Sequence, residues 1–179
     1  MTNGQAKRAR AAARGKKFEE DFRNSFLGLT DIVCERLNDQ EGHRRGVNAP
    51  CDFILFEHPV LAYCELKSTR QARLELARIS DNQWSGLISR SRIPGVVAGV
   101  LIEFRSSDEF PEVRFFPIHF LEVWKAGGHK SIGLKEGTSV PLSGWKRRTR
   151  WRYDIQPWME RIRDYACSVD RAGEDEDIH

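Results

Sequence analysis

The spacing of apolar and polar positions changes several times along this chain, and each change marks an element. Phe18, Phe22, Phe26 and Leu29 recur at helical spacing, which predicts a first helix from Gly15, ended by Gly28 and Leu29. Ile32 to Leu37 alternates roughly and predicts a strand. Asn38 to Ala49 is polar and contains glycine, so it predicts a loop. From Pro50 to Lys67 two apolar runs flank His58-Pro59, the pattern of a β-hairpin with a short turn. An Arg-rich stretch, Ser68 to Ile79, leads to Ser80-Asp81-Asn82-Gln83. There Ser80 is a predicted N-cap and Gln83 its capping-box partner. That helix runs through Trp84, Leu87 and Ile88 towards Arg92, with Pro94 beyond it. Val96 to Phe104 is almost continuously apolar and predicts a buried central strand. Val113 to Ile118 predicts another, with Pro117 marking an edge or a strand end. A short helix over Ile118 to Lys125 ends at Gly127-Gly128. A last amphipathic helix passes through Met159, Ile162, Tyr165 and Ala166.

The hairpin decides the fold class. Phe53 and Leu55 alternate with Ile54 and Phe56, and Val60, Ala62, Cys64 and Leu66 alternate with Leu61 and Tyr63. Strands apolar on both faces are covered on both sides. The expected fold is therefore α/β, a mixed β-sheet core flanked by helices on both faces. At 179 residues the chain suits one domain. The expected division is a basic flexible arm over 1–14, which could also extend the first helix, a single domain over 15–168, and an acidic tail over 169–179.

The same hairpin carries an electrostatic anomaly. With His58 and Pro59 as its turn, residue i pairs with residue 117 − i, because 58 + 59 = 117. Asp52 then stands opposite Glu65. Directly opposed Cβ atoms are about 5 Å apart, and like charges there are destabilising. Lys67 shares the face of Glu65. A divalent cation between the carboxylates converts the repulsion to attraction. Hard carboxylate oxygens suit Mg²⁺, which keeps several waters and contacts phosphate. The backbone carbonyl of Leu66 is a further candidate ligand. Two salt bridges along a surface strand pair would explain the charges equally simply, but the apolar faces make that arrangement costly.

Glu19 lies on the border of the first helix's apolar stripe, from where it can reach inward. It can also pair with Arg23 at i+4, worth a few tenths of a kcal/mol. The net charge of +3 hides an asymmetry: Lys7, Arg8, Arg10, Arg14, Lys16 and Lys17 precede the first acid, and Glu174, Asp175, Glu176 and Asp177 lie near the end. A basic arm points to nucleic acid or to a solvated terminus. Arg44 and Arg45 in the loop before the hairpin, Arg70 after it, and Lys146, Arg147 and Arg148 between Trp145 and Trp151 are further candidate phosphate contacts. The two tryptophans are either stacking platforms or core. Cys34, Cys51, Cys64 and Cys167 show no C-x-x-C spacing, which fits a reducing compartment. No apolar run approaches membrane-spanning length and no secretory pattern opens the chain, so a cytoplasmic location is expected.

Asp52 followed by Glu65-Leu66-Lys67 resembles the PD-(D/E)xK nuclease superfamily. Gly15-Lys16-Lys17-Phe18-Glu19, Cys51-Asp52-Phe53-Ile54, Glu65-Leu66-Lys67-Ser68-Thr69, Ile79-Ser80-Asp81-Asn82-Gln83 and, more weakly, Phe116-Pro117-Ile118 with Lys130-Ser131-Ile132 resemble motifs of its RecU-type Holliday junction resolvase branch, including phage versions. The likeness spans about residues 15–135. It implies a restriction-endonuclease-like core, a homodimer, and Mg²⁺- or Mn²⁺-dependent cutting of branched DNA in a bacterial or phage-infected cell. It implies Asp52 and Glu65 as metal ligands, Glu19 as a further acid near the metal, Lys67 as the residue orienting water or phosphate, and Gln83 as a supporting active-site residue. Two departures stand out. Asn82 replaces the usual histidine before Gln83. The protruding stalk of the cellular members has no room between Asn38 and Ala49, which bears on junction selectivity. A repair- or restriction-type nuclease on the same fold, or a DNA-binding protein with a lapsed site, are the alternatives.

Overall fold

The structure is a computed structural model and describes residues 3–37, 49–105 and 111–176. In chain order the elements are α1 (Asn3–Asn24), β1 (Val33–Arg36), β2 (Phe53–Glu57), β3 (Val60–Thr69), β4 (Arg73–Glu75), α2 (Asp81–Ser91), β5 (Val96–Phe104), β6 (Glu112–Pro117), α3 (Ile118–Ala126), β7 (Ser131–Gly133), β8 (Val140–Leu142), β9 (Gly144–Arg147), β10 (Arg150–Tyr153) and α4 (Ile155–Glu176). A six-stranded sheet runs in the order β1-β2-β3-β5-β6-β8, with two-stranded sheets β4-β7 and β9-β10. β3 and β5 are parallel and the other neighbours are antiparallel, so the sheet is mixed.

Alternation along the central strands builds two cores. Val97 and Leu101 of β5 face Phe18 and Phe22 of α1 and Trp158, Met159 and Ile162 of α4. Ala98, Val100, Ile102 and Phe104 face Trp84 and Leu87 of α2 and Ile118 and Leu121 of α3. The expected architecture, a mixed sheet flanked by helices on both faces, is the observed one. Gly99 lies in the middle of β5 because a Cβ there would stand 2.3 Å from the Phe116 carbonyl oxygen.

The β2–β3 register follows the sum of 117 from Phe53↔Cys64 to Glu57↔Val60. The ladder stops there, so Asp52 is not in a strand pair opposite Glu65; it lies one residue before β2. The capping box of α2 forms as expected, with Ser80 Oγ accepting from the Gln83 amide and the Gln83 side chain accepting from the Ser80 amide. Pro117 closes β6, an internal strand, so it marks a strand end and not an edge.

At the ends of the chain the helices run longer than the division at 14 and 168. Residues 3–14 form the first half of α1, the extension of the first helix that the sequence allowed, because a run of Ala, Arg and Lys has high helix propensity and Gly15 alone does not break it. That helix ends at Asn24 and not near Leu29. Phe26 and Leu29 still pack on the core from the turn that follows, which closes at Gly28 with φ 93°. α4 continues past the expected limit at 168. No helix among the described residues is long and apolar enough to cross a membrane.

Candidate active site

Glu65 is the centre of the site. It lies on β3 beside β5, 2% exposed. Its Oε1 accepts from Lys67 Nζ at 2.5 Å and from Gln83 Nε2 at 2.7 Å. Its Oε2 is buried and has no hydrogen-bond partner. A buried carboxylate oxygen left bare is costly, and this is the feature a cation would relieve. Burial, then the nearby Asp52 charge, push the Glu65 carboxyl up to about 7 against the pull of Lys67, and Glu19 adds to the rise.

Three elements bring partners to Glu65. Asp52 enters from the bend before β2, where its Oδ2 accepts from the Leu66 amide at 2.7 Å. That bond fixes Asp52 across the two strands at the residue whose carbonyl is the candidate ligand. Gln83 enters from the first turn of α2. Its Oε1 accepts from the Ser80 amide at 3.0 Å and lies 3.4 Å from Lys67 Nζ. One side chain therefore caps a helix and braces the carboxylate. Glu19 enters from α1. It is ion-paired with Arg36 at the end of β1 and not with Arg23. Burial raises its pKa first and the Asp52 charge second, so the two acids feel each other; Arg36, Lys16 and Lys67 oppose the rise. Glu19, Asp52, Glu65, Lys67 and Gln83 thus converge. Among the described residues no three His, Cys, Asp or Glu side chains close into a metal cage by themselves. The donor set is an open one of hard oxygens, which fits Mg²⁺ or Mn²⁺ sharing its shell with water.

A cleft of about 620 Å³ lies between the N-terminal half of α1 and the end of β3, with Arg10 and Arg14 on one wall and Arg70 and Arg78 on the other; Glu75 is the one acid of its lining, so the balance is strongly basic. Burial, then the neighbouring Arg70, Arg105 and Arg78 charges, lower the pKa of Arg14. Like charges collected in one cleft favour a polyanion. Of the predicted basic residues, Arg10, Arg14 and Arg70 share this cleft. Lys16 sits beside Glu19 and Lys17 Nζ donates to the Thr149 carbonyl at 3.0 Å. Lys146 and Arg147 lie on β9 and Arg148 in the turn after it. The side chains of Lys7 and Arg8, and Arg44 and Arg45 entirely, lie outside the described residues.

Sequence reasoning missed the support beneath this cleft. Glu103, fully buried on β5, accepts from Ser68 Oγ at 2.8 Å and from Arg105 at 2.7 Å, and Tyr153 lies 3.4 Å away. The signal was present: one acid inside the apolar run of residues 96–104 must have buried partners. Asp21, also fully buried, takes up Arg150 and the Trp151 amide.

No family model matches this chain, and no curated protein matches it. Among solved structures the chain is similar to Hjc, a Holliday junction resolvase from the archaeal hyperthermophile Archaeoglobus fulgidus. The identity is 20%, over 59% of this chain and 74% of that one, with a TM-score of 0.39. A likeness of this degree assigns no residue a role.

Proposed function

We propose that the chain is a divalent-metal-dependent endonuclease that cuts branched DNA by phosphodiester hydrolysis. The observation that carries this reading is the bare, buried Oε2 of Glu65 beside Asp52, with Lys67 on the same face. The RecU-like order of motifs and the Arg-lined cleft support it. Asp52 and Glu65 would hold Mg²⁺ or Mn²⁺, with Glu19 and the Leu66 carbonyl as secondary donors. When bound, the metal supplies an acidified water and charge stabilisation at phosphate. Lys67 would orient the attacking water or neutralise a phosphate oxygen, and Gln83, by donating to Glu65 Oε1, leaves Oε2 as the oxygen that would serve a metal. The Arg14–Arg70 cleft carries the adjoining phosphates. Two copies acting on one junction would give symmetrical nicks.

The test is cleavage of a synthetic four-way junction against a linear duplex of the same sequence, with Mg²⁺ and with EDTA. Symmetrical, Mg²⁺-dependent nicks confined to the junction are expected. Equal cutting of the duplex would indicate a repair- or restriction-type nuclease. Junction binding without cutting would indicate a lapsed site.

The cleft gives a separate expectation. Arg14→Ala and Arg70→Ala should each flatten the dependence of log affinity on log salt by about 0.9, the loss of one phosphate contact. Removing residues 1–14 should flatten it further. Binding isotherms at several salt concentrations read this directly, and an unchanged slope would take the cleft off the DNA path.

A further inference from the structure

The hairpin β9–β10 carries charge and an exposed indole that the proposed cleavage chemistry leaves unused. Arg147 stands opposite Arg150 and Trp145 opposite Arg152, so these four share one face of the ribbon. The other face carries Lys146, Trp151 and Tyr153. It packs inward: Trp151 and Tyr153 are buried and Lys146 lies over the Trp151 ring at 5.4 Å. Trp145, by contrast, is 52% exposed. Of the two tryptophans in this basic run, one is core and the other is presented to solvent.

The charge on the outer face is arranged for a partner. Directly opposed like charges destabilise a strand pair. Arg150 is compensated by Glu20 at 2.8 Å and by Asp21 at 3.3 Å. Among the described residues no acid is paired with Arg147, Arg148 or Arg152. A polyanion supplies what these cations lack, and a flat indole among them offers a stacking surface.

The hairpin is also held at a fixed place. Lys17 donates to the Thr149 carbonyl at 3.0 Å and the Tyr153 amide donates to Ser25 Oγ at 2.9 Å. With the Arg150 and Trp151 contacts to Glu20 and Asp21, the ribbon is bolted to the stretch of α1 that carries Glu19. A ligand on the ribbon is therefore positioned relative to the candidate metal site by one rigid helix.

We propose that this hairpin reads the branch point: Trp145 stacks on a base face laid open where the arms part, and Arg147, Arg148 and Arg152 hold the phosphates on either side of it. The inference rests on the reading of the chain as an enzyme of branched DNA. An intact duplex exposes no base face along its arms, so the contact distinguishes branched from linear DNA.

The test uses the full chain in EDTA, so that no strand is cut. The probes are a four-way junction with 2-aminopurine at the branch, the same junction with 2-aminopurine within an arm, and a linear duplex. Trp145→Ala should weaken junction binding by about tenfold or more and leave duplex binding within about twofold. It should also abolish the fluorescence change at the branch probe, while the arm probe stays silent in both proteins. Trp145→Phe should restore most of the affinity. Unchanged junction binding by Trp145→Ala, or equal loss on junction and duplex, would overturn the assignment. If the wild type cuts junctions with Mg²⁺ while Trp145→Ala binds them unimpaired, the hairpin assignment alone falls. If the wild type neither cuts nor prefers branched DNA, both readings fall.

Discussion

Asp52→Asn should reduce Mg²⁺-dependent cleavage by about a thousandfold or more while leaving DNA binding close to that of the wild type. A metal ion contributes several kcal/mol of charge stabilisation in the transition state, and each 1.36 kcal/mol is tenfold in rate. The substitution is nearly isosteric. An asparagine oxygen can still accept from the Leu66 amide, the 2.7 Å bond that places residue 52 against β3, so the bend before β2 should survive. What is lost is one negative charge beside Glu65 and Glu19, both of which register Asp52. Lys67→Ala should retain metal binding and lose rate, because it removes the Glu65 partner at 2.5 Å and the group that faces water or phosphate. Cleavage by Asp52→Asn within about tenfold of wild type would remove Asp52 from the chemistry. Loss of DNA binding in parallel with rate would give it a structural role instead.

The parts of this site that the sequence reveals are those fixed by short-range rules. The hairpin register follows from a two-residue turn between two apolar runs, and it places Asp52 near Glu65 although the ladder ends one residue early. The Ser80–Gln83 box follows from capping chemistry, and the inward reach of Gln83 to Glu65 is its side effect. The parts not legible depend on partners distant in the chain. Glu19 finds Arg36 through the packing of α1 on the sheet, where the local rule offered Arg23. Glu103 meets Ser68 only because β3 and β5 run parallel in one register. The Arg14–Arg70 cleft exists because residues 3–14 stay helical, where composition suggested a basic arm and allowed a longer helix. Trp145 and Trp151 occupy similar sequence surroundings, and only the pairing of β9 with β10 decides which one faces solvent.

Metal-free protein should lose stability as pH rises from about 4.5 to about 7, and Glu65 should be the main cause. Its folded pKa is raised from 4.5 to about 7 by burial and by Asp52. The folded state therefore holds a proton that the unfolded state releases earlier. For an acid raised on folding, the contribution is favourable below the unfolded value and is lost progressively up to the folded one. A rise of this size corresponds to about 3 kcal/mol. Glu19, also raised, acts in the same direction. Glu136, lowered by its Arg73 partner, acts oppositely and at lower pH. The informative quantity is thus the difference between wild type and Glu65→Gln. Urea unfolding in EDTA across pH 4.5–8 should show Glu65→Gln gaining on the wild type as pH rises, levelling off above about 7. Saturating Mg²⁺ should reverse that order at pH 8, because the ion binds the ionised carboxylate only in the folded wild type. Parallel pH curves for the two proteins in EDTA would mean that Glu65 ionises without penalty. Parallel curves with and without Mg²⁺ would mean that the bare Oε2 holds no ion.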